Sequence, residues 1–326
     1  MNSETPSLSQ LYERELKPHL TKLEAKRIKI RNRSFLIGAI SLVVVAIAGG
    51  FFGKYGYIVS GMIAFMVFFA LLSGPMSEYR HQFKEQLIRR LLTTYYPGID
   101  YHPNRGISSS DFRQSRIYRH RIDRYKCEDL LSGTLGKTAF RFSEVHAEYK
   151  TTTTDSKGNR RTTWHTIFRG LYLIADFNKS FNGLTLVLPD KAEKHFGGIG
   201  KMLQGWGAKL GGQPGELIKL EDPEFERIFA VYADDQVEAR YILSTSLMQR
   251  LVTFQKQLKK TVALAFVNSN LHMAISTRKN YFEPPSIWFG SAMLALDDIN
   301  EYLDDLKMAQ DIIDDLNLNL RIWGKQ

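Results

Sequence analysis

SFLIGAISLVVVAIAGGFFG (Ser34–Gly53), followed after a single lysine by YGYIVSGMIAFMVFFALLSG (Tyr55–Gly74), is the stretch that decides how this chain is read. Neither run holds an acid or a base. Each is about 20 residues long, enough at 1.5 Å per residue to cross a hydrocarbon core of roughly 30 Å. Only Lys54 stands between them. A signal peptide has a shorter apolar core and ends at a small-residue cleavage site, whereas this run meets a second apolar stretch at once. The reading is a retained transmembrane helical hairpin, with Gly74-Pro75 closing the second span.

Charge beside the spans gives the orientation. Lys22, Lys26, Arg27, Lys29, Arg31 and Arg33 precede the first run, and Arg80, Lys84, Arg89 and Arg90 follow the second. Short flanks rich in Lys and Arg stay cytoplasmic, so both termini are expected in the cytosol, with a small loop outside. The lone Cys127 fits a reducing compartment, since one thiol makes no intramolecular bridge. No Cys/His pairing suggests structural zinc.

The net charge of +10 is unevenly distributed. Residues 1–33 hold eight bases and four acids (+4), residues 75–126 eleven and five (+6), and residues 283–326 three and nine (−6). The positive segments flank the hairpin, so the lipid bilayer, through its anionic inner leaflet, is the simplest partner. Arg113, Arg116, Arg119, Arg121 and Arg124, interleaved with Phe112, Tyr118 and Tyr125, form the one stretch that suggests nucleic acid. Beside a bilayer, nucleic acid is not the expected partner.

The fold class expected is α+β, in five segments. A basic helix (1–33) leads into the hairpin (34–74), and a juxtamembrane helix (75–96) carries a stripe of Phe83, Leu87, Leu91 and Leu92 up to Pro97-Gly98. A largely antiparallel cytosolic domain (97–282) follows, then an acidic amphipathic helix (283–326). Residues 97–111 read as a linker. Strands are expected at Tyr125–Ser132 and Thr138–Tyr149 around a Gly133–Gly136 turn. Further strands are expected at Arg160–Phe168 after the Asp155–Asn159 turn, and at Gly170–Asp176 paired with Leu184–Leu188. Ile228–Tyr232, Tyr241–Leu243, a helix from Ser246 to about Leu258, and a hairpin Thr261–Val267/Leu271–Ser276 complete the domain. In the last helix Ile299, Leu303, Leu306, Gln310 and Ile313 step by 4, 3, 4 and 3. That stripe suits either the domain's own sheet or a coiled coil, with the aspartate pairs as a solvated face.

Chemistry is thinner. The segment from Gly197 to Lys201 glances at a phosphate loop, but His195 and Met202 stand where a glycine and a Ser or Thr are needed. Ile199, Met202, Leu203, Trp206 and Leu210 share a helical face beside Lys201 and Lys209. This describes a membrane-surface helix or, equally, a glycine-rich flap over the core. Glu144, His146 and Glu148 alternate along one strand, with His165 on its partner strand. Such a group could hold a metal or act as acid and base, and polar residues on a solvent face give the same pattern. Arg169 and Arg240 either close internal ion pairs with Asp176, Asp235 or Glu238, or face a pocket for an anionic group. No cofactor, metal or catalytic residue is expected.

Several blocks carry a resemblance: Glu128–Gly133, Phe142–Ala147, Phe168–Leu171, Ala175–Lys179, Asp222–Phe225 and Val231–Tyr241. From about Tyr96 to Phe282 the chain resembles an uncharacterised bacterial family of two-pass membrane proteins with a cytoplasmic domain of unknown function. The resemblance implies no activity. Some of that family are encoded near LemA-type membrane proteins, which implies a helical membrane partner. The expected function is a membrane-tethered binding or scaffolding module whose partner is another helical membrane protein or the protein itself. A lipid-handling domain with its glycine-rich flap at the inner leaflet is the alternative, and an enzyme is third.

Overall fold

The structure, a computed structural model, describes residues 7–177, 179–189, 216–289 and 295–316, the side chains of Ala309 and Asp315 excepted. It is α+β: a long apolar N-terminal helix and a large antiparallel sheet. Two compact units divide the chain, residues 1–97 with 282–305, and residues 98–281 with 306–326.

In the first unit, Ser7 caps α1 (Leu8–Leu11) reciprocally with Gln10. A π-turn at Tyr12–Leu16 leads into α2 (Lys17–Phe83), and another at Lys84–Ile88 into α3 (Arg89–Tyr95). The one non-helical residue inside α2 is Gly53, at φ 59° and ψ −147°, where the lack of a Cβ removes the steric penalty. A straight helix of 67 residues would extend about 100 Å. Yet Lys26 Nζ lies 2.5 Å from Glu78 Oε1, and Arg90 Nη2 lies 2.5 Å from Glu15 Oε2. Residues on either side of Gly53 thus meet as ion pairs. Pro75 does not end the second arm, as its sequence suggests; α2 runs through it. A helical proline costs about 3 kcal/mol. Beyond it Tyr79, Phe83, Leu87, Ile88 and Leu91 are all buried, at roughly 1.5–3 kcal/mol each, which outweighs that cost.

Among its described residues the second unit holds nine strands in the order β1-β2-β3-β4-β9-β8-β5-β7-β6, every neighbouring pair antiparallel. They are β1 (Ile99–His102), β2 (Arg124–Leu135), β3 (Thr138–Thr154), β4 (Arg160–Asp176), β5 (Thr185–Pro189), β6 (Glu216–Ile218), β7 (Phe229–Ala233), β8 (Val262–Val267) and β9 (Asn270–Ser276). The helices among them are α4 (Ser109–Gln114), α5 (Pro223–Glu226), α6 (Gln236–Ile242) and α7 (Thr245–Leu258), with α8 (Leu296–Asp315) following. Every residue of β8 is buried, so both sheet faces are covered at the centre. On one face Phe112 of α4 stacks on Tyr118 at 5.4 Å and meets Tyr172 at 4.9 Å, the heart of an aromatic core with Phe168 and Val145.

Several local expectations change. Residues 97–111 are not a plain linker: they contain β1 and the first turn of α4, fixed because Tyr101 and, just beyond, Phe112 are buried. The first hairpin turn narrows to Gly136-Lys137, with Gly133 paired to Phe140. Gly170–Asp176 does not pair with Leu184–Leu188. It continues β4 and ladders with β9 from Gly170↔Ser276 to Asp176↔Asn270, while β5 lies between β8 and β7. Tyr241–Leu243 is not a strand, because the Asp235 carboxylate accepts the N–H groups of Val237 and Glu238 at 2.7 and 3.1 Å and starts α6. In α8 Ile299, Leu306 and Ile313 are buried as the stripe requires, but Asp305 is buried too and is not part of a solvated face. Within the first unit, Tyr302 of α8 meets Phe83 at 5.5 Å.

Candidate functional site

Alternation along β2 and β3 sets Lys126 opposite His146 and Glu128 opposite Glu144, all on the face away from Phe168 and Tyr172. β4 adds Arg169 directly across from His146. Its neighbour Gly170 lets the strands close up. It has φ 153°, and a Cβ there would stand 2.0 Å from the Ile275 carbonyl oxygen. Thr277 N–H donates to the Arg169 carbonyl at 3.1 Å, bringing the chain after β9 alongside. Lys279 and Asn280 follow, and with Pro103 and Asn104 they complete an open groove of about 570 Å³.

The groove holds Arg169 by one contact, Nη2 donating to Asn280 Oδ1 at 2.7 Å. Glu144 Oε1 accepts the N–H of Tyr281. His146 is half-buried, with Nε2 3.7 Å from Glu148 Oε1. Burial pushes its pKa below the usual histidine value; Glu148 opposes this, and Arg169, Lys126 and Arg124 add to the lowering. The imidazole is therefore neutral at pH 7 and free to accept or donate one proton. The Cys127 thiol, also on the lining, is pushed up by burial and then by Glu128, so it stays protonated rather than nucleophilic. With His146 neutral, Lys126, Arg169 and Lys279 outnumber Glu128 and Glu144 by one charge.

The structure thus brings Glu144, His146 and Arg169 together and separates other expected members. Arg240 does not line the groove; it donates to the Lys219 carbonyl at 3.1 Å. Among the described residues neither arginine forms an ion pair, and two of the three acids expected to pair with them are otherwise engaged: Asp235 caps α6, and Glu238 accepts the N–H groups of Asn182 and Gly183. His165 does not join Glu144, His146 and Glu148. A bulge lets Ala147 face Phe168 and Glu148 face Thr166, so Ile167 is the extra residue and His165 turns to the other face. There it stacks on Tyr149 at 4.9 Å, with His120 4.5 Å from the same ring. Among the described residues, Glu144, His146, Glu148 and His165 do not bring three donor atoms within 4.8 Å of one another. Ile199, Met202 and Trp206, the proposed membrane-surface residues, lie outside the described residues.

Lys126 and Glu128 were legible from the same alternation that singles out Glu144 and His146. Lys279 and Asn280 carry no local signal, because only the β4–β9 ladder brings them to Arg169.

Residues 166–318 match the model of a family described as "Protein of unknown function (DUF3137)". The match starts later than the resemblance at Tyr96 suggests and reaches into the C-terminal helix. The matched span includes Arg169, Lys279 and Asn280, while Lys126, Glu144 and His146 precede it. No curated protein and no solved structure matches this chain.

Proposed function

We propose that this protein is a membrane-tethered binding module: a two-span helical hairpin, Ser34–Gly53 and Tyr55–Gly74, anchors a cytosolic sheet domain to a bacterial inner membrane, both termini inside. The anchor rests on exposure. Twenty large apolar side chains between Phe35 and Leu71 are exposed, among them Phe51 at 82 % and Met66 at 70 %. Left in water at about 1 kcal/mol each, they would cost on the order of 20 kcal/mol, more than the 5–15 kcal/mol that stabilises an ordinary domain. Hydrocarbon removes that cost, and the basic flanks set the orientation. Partners that fit are the bilayer and another helical membrane protein or a second copy of this chain.

The binding site is the groove, and its ligand carries a carboxylate or phosphate. The observation that carries this is the Arg169 guanidinium. It is exposed, braced by Asn280, without an ion pair among the described residues, and set across from neutral His146 beside Lys126. A planar fork of donors held this way suits an anionic oxygen pair. Full-length protein in detergent, titrated with inorganic phosphate and with citrate, tests it. At ten times Kd a bound probe adds about 1.4 kcal/mol of stability. Arg169→Ala should abolish the upward shift in Tm, and Arg240→Ala should retain it. No shift with either probe, or an undiminished one in Arg169→Ala, would refute the reading.

A further inference from the structure

We infer that the segment Glu283–Phe289 (EPPSIWF) inserts into the membrane–water interface beside both arms of the hairpin, giving the protein a lipid contact that neither span provides. This rests on the reading that the arms cross a bilayer.

Within the first unit the Trp288 ring lies 5.9 Å from Phe35, edge-on, and 6.4 Å from Phe68, stacked at 15°. Phe35 is the second residue of the first apolar run, and Phe68 lies six residues before the end of the second. Trp288 therefore lies at the start of the first run and within two helical turns of the end of the second, on the side flanked by the basic residues. Its neighbour Phe289 is an aromatic ring 81 % exposed. An indole at that depth puts its ring among acyl chains and its N–H among head groups, the preference that concentrates tryptophan at interfaces.

Polarity changes along the segment as it would along the membrane normal. At its start, Glu283 pairs with Lys84 at 3.0 Å and Arg80 at 3.2 Å. Pro284 and Pro285 have no N–H to satisfy away from water. Backbone carbonyls further on do need partners where water thins out. Arg27, only 2 % exposed, donates to the carbonyls of Ile287 at 3.2 Å and Ser286 at 3.5 Å while its other side pairs with Glu24 at 2.9 Å. Charges thus hold one end, a buried guanidinium satisfies the middle, and two aromatics finish in the apolar zone. A segment meant for water would not leave Phe289 bare beside a membrane anchor. The occupant of its free face is the bilayer itself.

Depth-dependent quenching tests this in the full-length protein reconstituted into vesicles of zwitterionic and anionic lipid. Replacing Trp164, Trp206 and Trp323 by Phe leaves Trp288 as the sole indole. Lipids brominated near the head of the acyl chain should quench it at least twofold, and lipids brominated near the chain end should quench it less. A control with Phe65→Trp as the sole indole, Trp288→Phe included, reports whether the arms are inserted. Quenched Phe65→Trp with unquenched Trp288 would overturn the inference alone. If neither is quenched, the membrane reading falls, and this inference with it. Should the multiple replacement misfold, an environment-sensitive dye on Phe289→Cys in a Cys127→Ser background serves instead. Its emission should be blue-shifted relative to the same dye on Ser156→Cys, and equal emission would overturn the inference.

Discussion

Replacing Gly170 with alanine would put a methyl group 2.0 Å from the Ile275 carbonyl oxygen and 2.9 Å from the Thr277 nitrogen. Both atoms are backbone, so neither can swing aside, and β9 would have to retreat by more than an ångström. That retreat breaks the contact between Thr277 N–H and the Arg169 carbonyl and weakens the adjoining Gly170↔Ser276 pairing, at about 1 kcal/mol for each hydrogen bond lost. Holding alanine at φ 153° adds strain of about 1–3 kcal/mol. The expected total is about 3–5 kcal/mol. Gly158→Ala is the matched control: its φ is also positive, at 82°, but a Cβ there meets nothing within 4 Å, so only the backbone strain of about 1 kcal/mol remains. Thermal unfolding of the full chain in detergent reads the difference. At 2–4 °C per kcal/mol for a domain of this size, Gly170→Ala should lower Tm by roughly 6–20 °C, and Gly158→Ala by a few degrees. Amide exchange should rise first along β9 and β4. Equal losses in the two variants would refute the argument that close strand approach at Arg169 depends on the missing side chain.

Two further outcomes follow from buried polar groups. His272, 2 % exposed and 3.2 Å from the Tyr172 hydroxyl, has its pKa pushed down to about 4, first by burial and then by Arg141, against Asp111. Because the folded value lies below the unfolded 6.5, its contribution is fully present above about pH 6.5 and is lost as pH falls through about 4, a change of roughly 3 kcal/mol. His272→Gln should flatten that part of the stability-against-pH curve, and an unaltered slope would count against it. Tyr101, 1 % exposed, donates its hydroxyl to buried Asp129 at 2.5 Å. Tyr101→Phe should lower the urea midpoint by an amount equivalent to about 1.5–3 kcal/mol without changing the m-value, and a shift under 0.5 kcal/mol would contradict the burial argument.

What the sequence determined by itself is whatever depends on neighbours along the chain. Two 20-residue apolar runs interrupted only by Lys54 are legible without any fold, and Gly53, the one non-helical residue of the long helix, falls at their junction. Alternation placed Glu144 and His146 on one face of β3, and Asn268-Ser269, both at positive φ, marked the β8–β9 hairpin. Spacing within one element is local geometry, with a period of 3.6 or 2 that side-chain polarity reports directly.

Tertiary structure decided everything that needed a partner distant in sequence. Whether Gly170–Asp176 pairs with β5 or with β9 depends on which strand buries Leu171 and Leu173 better, and propensity is the same for both. A single extra residue at Ile167 sent His165 to the opposite face, which no polarity pattern announces, because a bulge costs one unpaired position and reverses the alternation of everything beyond it. Helix α6 formed where three β-prone residues suggested a strand, because the Asp235 cap supplies acceptors that the strand would have to find elsewhere. Asn280 reached Arg169 across 111 residues of chain only because the ladder between β4 and β9 was already in place. Local signals fix what each segment can be; the groove exists because non-local hydrogen bonding and burial choose which segments meet.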